Sequence, residues 1–181
     1  MKQLAIIPGD GIGKEVIAAG MDVLDAVSEI SSFQFEPEYV DIGSDRYLRT
    51  GELLPDEDIA LLKKKDAIYF GAIGDPRVKP GIMEQGVLLK MRAAFDQYIN
   101  LRPDTSWFPL VPLKREVEFD MHFLRENTED FYMGAGGYFG PSHPGNSKIH
   151  VTRGMYDLDV DMDAEASYGD DFAFEIGFLS R

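Results

Sequence analysis

The chain has 181 residues, a formal net charge of −14, 44% hydrophobic residues and no cysteine. So acidic a balance excludes a broad basic face for nucleic acid or an anionic membrane. With no cysteine, thiol catalysis, disulfides and thiolate metal sites are excluded, while the apolar content is enough to bury a core in one domain or in parts of two.

Leu4 to Ile7 is a short apolar run closed by Pro8-Gly9, which predicts a buried parallel strand. It is too short, and too soon interrupted by Gly-Asp-Gly, for a signal peptide, and no stretch approaches transmembrane length. Gly13 to Ser28 has helical spacing, with Val16, Met21, Val23, Leu24 and Val27 as its apolar stripe. Phe33 to Val40 alternates and predicts a second strand, with Pro37 at its centre. Leu54-Pro55-Asp56 fits a helix start, and Asp66 to Phe70 reads as a third strand. The order strand, helix, strand, helix, strand predicts an α/β domain with a largely parallel sheet.

Gly71 to Gly81 (GAIGDPRVKPG) is a turn-rich loop at the carboxyl end of that strand, where open α/β sheets place ligands. Met83 to Asp96 reads as a helix. Composition then shifts through a connector with Trp107, Pro109 and Pro112, so a boundary is expected near residue 100. Phe119 to Leu124 reads as a strand that delivers Arg125 at its end. Gly134 to Gly145 reads as an irregular excursion, and Lys148 to Arg153 as a strand. Residues 157 to 165 alternate Asp with apolar residues. A calcium loop there would need Gly at its sixth place and Glu at its twelfth, and both are missing. A strand carrying Leu158, Val160 and Met162 on one face fits better, and its exposed edge calls for a partner strand from another subunit.

The chemistry concentrates in two stretches. On the Met83 to Asp96 helix, which leads into LLKMRAAFDQYINLRP (88 to 103), Gln85, Leu88, Leu89 and Arg92 fall on one helical face at spacing i, i+3, i+4, i+7. Arg92 there is either a buried ion pair or one wall of a pocket that grips a carboxylate. Arg102 precedes Pro103 and belongs to an extended segment. In RENTEDFY (125 to 132), Arg125 either pairs with Glu126 or Glu129 or emerges at the rim of a sheet. Tyr132 is packing unless its hydroxyl lies near Arg125. Arginine suits a small polycarboxylate because its planar guanidinium can grip a carboxylate through two parallel hydrogen bonds. The segment Pro8-Gly9-Asp10-Gly11-Ile12-Gly13 is spaced G-x-G-x-G rather than G-x-G-x-x-G, so both a plain turn and a cofactor contact remain open. His122, His143 and His150 lack ligand-like spacing for zinc.

Taken in order, IPGDGIGKEV (7 to 16), GAIGDPRVKPG (71 to 81), LLKMRAAFDQYINLRP and FLRENTEDFY (123 to 132) resemble the metal-dependent β-decarboxylating dehydrogenases. These act on isopropylmalate, isocitrate, homoisocitrate, tartrate or D-malate. The resemblance implies a two-domain, non-Rossmann α/β fold of the isopropylmalate-dehydrogenase type, incomplete here. Residues 1–100 would belong to the large domain, and 101–181 to the second domain with an intersubunit β-arm at about 133–171. It implies that Arg92, Arg102 and Arg125 hold the carboxylates of a malate and that Tyr132 donates a proton to the enol carbon. Ile12 and the loop Gly71, Ala72, Ile73, Gly74 would lie beside the nicotinamide of NAD or NADP. Gln85, Leu88 and Leu89 would line the substrate side, the leucines favouring isopropylmalate, while RENTEDFY and FDQYINLRP look closer to tartrate or D-malate members. A Mg or Mn ion is implied, with no ligand for it in this chain.

Members of the family are roughly twice as long, on a two-domain size prior. The resemblance therefore implies an N-terminal portion of a cytoplasmic, homodimeric enzyme, inactive as residues 1–181 alone. A non-catalytic fragment and one half of a split enzyme are the competing expectations.

Overall fold

The computed structural model describes residues 1–107, 113–115, 117–143, 147–153, 156–162 and 171–179. Pro109 to Pro112 of the connector and the end of the acidic alternation after Met162 lie outside the described residues. The chain divides into two compact units, Met1–Met91 and Arg92–Arg181. The boundary expected near residue 100 falls within the second.

In the first unit, β1 (Lys2–Gly9), β2 (Phe35–Tyr39) and β3 (Ala67–Ala72) form a parallel sheet in the order β2-β1-β3. Leu4 to Ile7 is buried throughout, as an apolar run should be in a strand covered on both faces. The helix α1 (Gly13–Ile30) packs Ile17 and Met21 against Leu4 and Ile6, with Leu24, Phe35 and Tyr69 around them. Of the five residues of the stripe expected on this helix, Met21 is buried and Leu24 half-buried. Val16, Val23 and Val27 are exposed, and Ile17 and Met21 are the buried pair.

Two short helices follow, α2 (Ser44–Thr50) and α3 (Asp56–Leu62). The first is closed by Gly51 at φ +77°, whose N–H donates to the Tyr47 carbonyl, the usual use of glycine at a helix end. The expected helix from Met83 to Asp96 is corrected. The helical stretch is continuous over 82–94, but its Glu84–Leu89 segment is π-helical, followed by the α-helical Lys90–Ala94, here α4. The buried residues Met83, Val87 and Met91 recur every fourth position. Steps of four drift by about 40° each in a 3.6-residue helix. Positions four apart stay on one face of such a helix all the same, and π turns recur at functional sites.

In the second unit, β4 (Ile99–Thr105) pairs antiparallel with β5 (Asp120–Glu126). β6 (Gly136–Phe139) pairs with β9 (Phe172–Glu175), so part of the supposed irregular excursion is a strand. β7 (Ser147–Arg153) and β8 (Tyr156–Met162) form an antiparallel hairpin in the region expected to be the arm. Ala135 is the centre of a small core, with Met133, Val160, Phe174, Ile176 and Phe178 against it.

Candidate functional site

In the first unit the carboxyl ends of β1 and β3 meet at a junction made tight by glycine. A Cβ on Gly13 would stand 2.3 Å from the Pro8 carbonyl oxygen and 2.5 Å from the Ala72 nitrogen. No side chain fits there. The Asp10 N–H donates to the Ala72 carbonyl at 2.7 Å. The Asp10 side chain, 4% exposed, accepts from the Ser44 N–H (2.7 Å), the Ser44 hydroxyl (2.7 Å) and the Gly74 N–H (2.9 Å). One buried carboxylate thus ties the turn after β1 to α2 and to the loop after β3. Ile12 stands out at 67% exposure in that turn.

Gly71 and Ala72, at the end of β3, and Ile73 and Gly74 after it are therefore brought against the Ile12 turn. Asp10 and Ser44 were not singled out from the sequence as site residues. A cavity of about 360 Å³ beside the junction is lined by Pro8, Gly9, Lys14, Ile17, Tyr39 and Asp41, among others.

The loop's far end is held by charge. Arg77 donates to Asp75 and Asp45, and Lys14 also reaches Asp45. The Arg77 guanidinium holds the Asp75 carboxyl down to about 2, and Arg77 and then Lys14 hold Asp45 below its usual range. Gln85, Leu88 and Leu89 lie on the π-helical segment, Gln85 exposed and both leucines half-buried. The α-helical phase that put all three on one face does not apply across it.

In the second unit, Arg92, Arg125 and Tyr132 come together. The Arg92 guanidinium carbon lies 5.7 Å and that of Arg125 5.3 Å from the centre of the Tyr132 ring, within reach of the ring's negative face. Tyr132 sits in a 3₁₀ turn, Asp130–Met133, whose Asp130 N–H donates to the Phe178 carbonyl at 2.8 Å. Arg125 is not the last residue of its strand. It lies within β5, opposite Asn100, while Arg102 lies opposite Phe123. Facing residues of an antiparallel pair point the same way, so Arg102 and Arg125 are diagonal neighbours on one face. They line an open concavity of about 600 Å³ with Pro103, Asp104, Phe123 and Leu124.

Among the described residues, no ion pair engages Arg92, Arg102 or Arg125. Glu126, offered by the sequence as a partner for Arg125, turns to the backbone instead. It accepts from the Thr128 N–H and hydroxyl and from the Glu129 N–H. Burial pushes its carboxyl up, but these bonds outweigh that and hold it below the usual range. Arg125 donates to the neutral Asn127 side chain at 3.2 Å. Unneutralised guanidinium groups gathered at one ring attract a small anion.

The sequence matches the isocitrate/isopropylmalate dehydrogenase family model over residues 3–157. It is 46% identical over 148 residues to a 3-isopropylmalate dehydrogenase from Leifsonia xyli subsp. xyli, covering 78% of this chain and 41% of that protein. A 3-isopropylmalate dehydrogenase from Streptomyces coelicolor is 50% identical over 152 residues, covering 82% and 43%. The crystal structure of a β-decarboxylating dehydrogenase from Thermococcus kodakarensis superposes with a TM-score of 0.55 at 28% identity, over 91% of this chain and 41% of that one. The mixed α/β architecture thus matches an incomplete fold of this type, and the chain spans 41–43% of the length of these two curated relatives.

Proposed function

The chain belongs to the isocitrate/isopropylmalate dehydrogenase family, and on that premise we propose that it is part of an enzyme that oxidatively decarboxylates a 2-hydroxy dicarboxylic acid of the 3-isopropylmalate type. The observation that carries this is the pair of guanidinium groups on the Tyr132 ring, which no ion pair engages among the described residues, in a chain with 32 acidic residues. Arg92 and Arg125, with Arg102 on the same sheet face as Arg125, hold the carboxylates of the diacid. Tyr132 is the proton donor beside them, and Gln85, Leu88 and Leu89 meet the substituent.

Ile12 and the Gly71, Ala72, Ile73, Gly74 backbone are the residues for a nicotinamide cofactor, NAD or NADP. Gly74, at φ +129° with open space where a Cβ would stand, leaves its backbone accessible on that side, so the residues fit a flat ring pressed close. When bound, that cofactor supplies the hydride acceptor. A divalent ion of the Mg or Mn kind does not fit the residues at hand: among the described residues no group of three His, Cys, Asp or Glu could hold a metal ion. The intact enzyme is proposed to be a cytoplasmic homodimer.

The test is titration of the 181-residue chain with D-malate and 3-isopropylmalate by calorimetry. Loss of a charge-assisted bidentate contact is worth about 1.5–3 kcal/mol, so Arg125→Ala should weaken diacid binding by ~10-fold or more. Equal binding by both proteins would sink the assignment. Combined with the complementary C-terminal portion of a relative, Tyr132→Phe should lower turnover by ~10²–10⁴-fold, the usual range for a general acid, and leave diacid affinity within about twofold.

A further inference from the structure

Asn127 sits between the two guanidinium-bearing segments and is 4% exposed. Its side-chain oxygen accepts from Arg125 Nη2 at 3.2 Å, and its side-chain NH₂ donates to the Gln97 carbonyl at 3.2 Å. Only one orientation of the amide works. Turned over, it would set donor against donor at Arg125 and acceptor against acceptor at Gln97. Gln97 in turn closes the helix that carries Arg92. Its N–H donates to the Arg92 carbonyl at 2.9 Å, the Asp96 N–H donates to the Ala93 carbonyl at 3.2 Å, and Asp96 is left-handed at φ +48°. That is the Schellman pattern of a helix end. The Arg125 guanidinium is therefore linked through the Asn127 amide to Gln97, whose own N–H bonds the Arg92 carbonyl.

We propose that Asn127 is a positioning residue, which sets the Arg125 guanidinium against the backbone that carries Arg92 while leaving its charge un-neutralised. The inference deepens the diacid reading and rests on it. A carboxylate at this place would hold Arg125 more firmly, because charge-assisted bonds are the stronger kind. It would also satisfy the cation that the ligand must satisfy. The chain has acids to spare nearby, and Glu126 spends its oxygens on the Thr128 and Glu129 N–H groups rather than on Arg125. A neutral amide is the group that holds without competing.

The experiment compares the 181-residue chain with Asn127→Ala and Asn127→Asp, titrated with D-malate and followed by NMR. Asn127→Ala frees Arg125 and should weaken binding about threefold. Asn127→Asp should weaken it at least ~10-fold, whatever its melting temperature, because the new carboxylate occupies the guanidinium. A merely structural amide predicts that loss of affinity tracks loss of stability in both. If the folded Asn127→Asp variant binds as well as the Asn127→Ala variant, this inference is overturned and the diacid reading still stands. No diacid binding by the unsubstituted chain would overturn both. Should neither variant fold, the Arg125 Nη resonances of the unsubstituted chain decide. Slowed rotation supports the tether to Asn127, and free rotation overturns it.

Discussion

Arginine is used in two opposite ways in this chain. Arg77 is neutralised twice over, by Asp75 and by Asp45, and Arg46 reaches Asp58, Glu52 and the Asp41 carbonyl. These are structural arginines. Arg125 instead has no ion pair among the described residues; it donates to the Asn127 amide and lies over the Tyr132 ring. Arg125→Lys keeps the charge but loses the planar fork and the stacking surface. It should weaken D-malate binding by ~10-fold in calorimetry with little change in melting temperature. Equal affinity would show that charge alone is read. Asp75 shows the other use through pH. Its ordinary value is 3.8, and the hydrogen bonds from Arg77 lower it to about 2. An acid lowered by folding stabilises fully above its ordinary value and loses that contribution as pH falls toward the folded one. The Asp75–Arg77 pair inside this loop should therefore hold at pH 5 and open between about pH 4 and 2. Carboxyl ¹³C shifts should put the Asp75 midpoint near 2, and Arg77→Ala should return it toward 3.8. Asp75 pairs with a neighbour two residues along the same loop, so the readout is local rather than global stability.

Elements were legible where one chemical signal acts alone. The apolar run Leu4 to Ile7 and the Pro8-to-Gly13 turn read directly, because a buried parallel strand and a glycine turn leave local marks. The π segment was not legible. Met83, Val87 and Met91 recur at four-residue steps that suit an ordinary α-helix equally well, and nothing in the local propensity of EQGVLL announces the wider turn. Which acid neutralises which arginine was equally hidden. Adjacency in sequence suggested Glu126 for Arg125, and only the fold shows the Thr128 and Glu129 N–H groups claiming that carboxylate first. The glycine junction gives a prediction at this scale. Gly13→Ala meets two backbone atoms closer than 3 Å, which cannot yield as a side chain would. Gly11, at φ +48°, has nothing within 4 Å of its would-be Cβ. Gly11→Ala should cost about 1 kcal/mol, the strain of a left-handed alanine. Gly13→Ala should cost about 2–3 kcal/mol or more through overpacking. Denaturant unfolding of the two variants gives the order, and a Gly11 variant that loses more would refute the junction.

At the scale of the whole chain, two surfaces act against each other. Net charge is −14, and like charge of that size keeps copies apart. Large apolar side chains are nevertheless exposed in both units: Ile30 at 86% in the first, and Ile99, Leu101 and Leu124 at 63%, 58% and 72% in the second. The last three lie on one face of the β4–β5 ladder, since Leu101 is opposite Leu124 and Ile99 is two residues from Leu101. Apolar patches of this kind favour burial against something, and the charge is what resists it. Salt separates the two effects. Raising it from 0.01 to 0.15 M shortens the screening length from about 30 to about 8 Å, which weakens repulsion between copies and leaves apolar attraction intact. Self-association of the chain at micromolar concentration should therefore increase with NaCl in sedimentation velocity. Leu101→Glu with Leu124→Lys, which places an opposite-charge pair on that face, should abolish the increase without unfolding the ladder. Association that falls as salt rises would mean that ion pairs, and not the exposed leucines, bring the copies together.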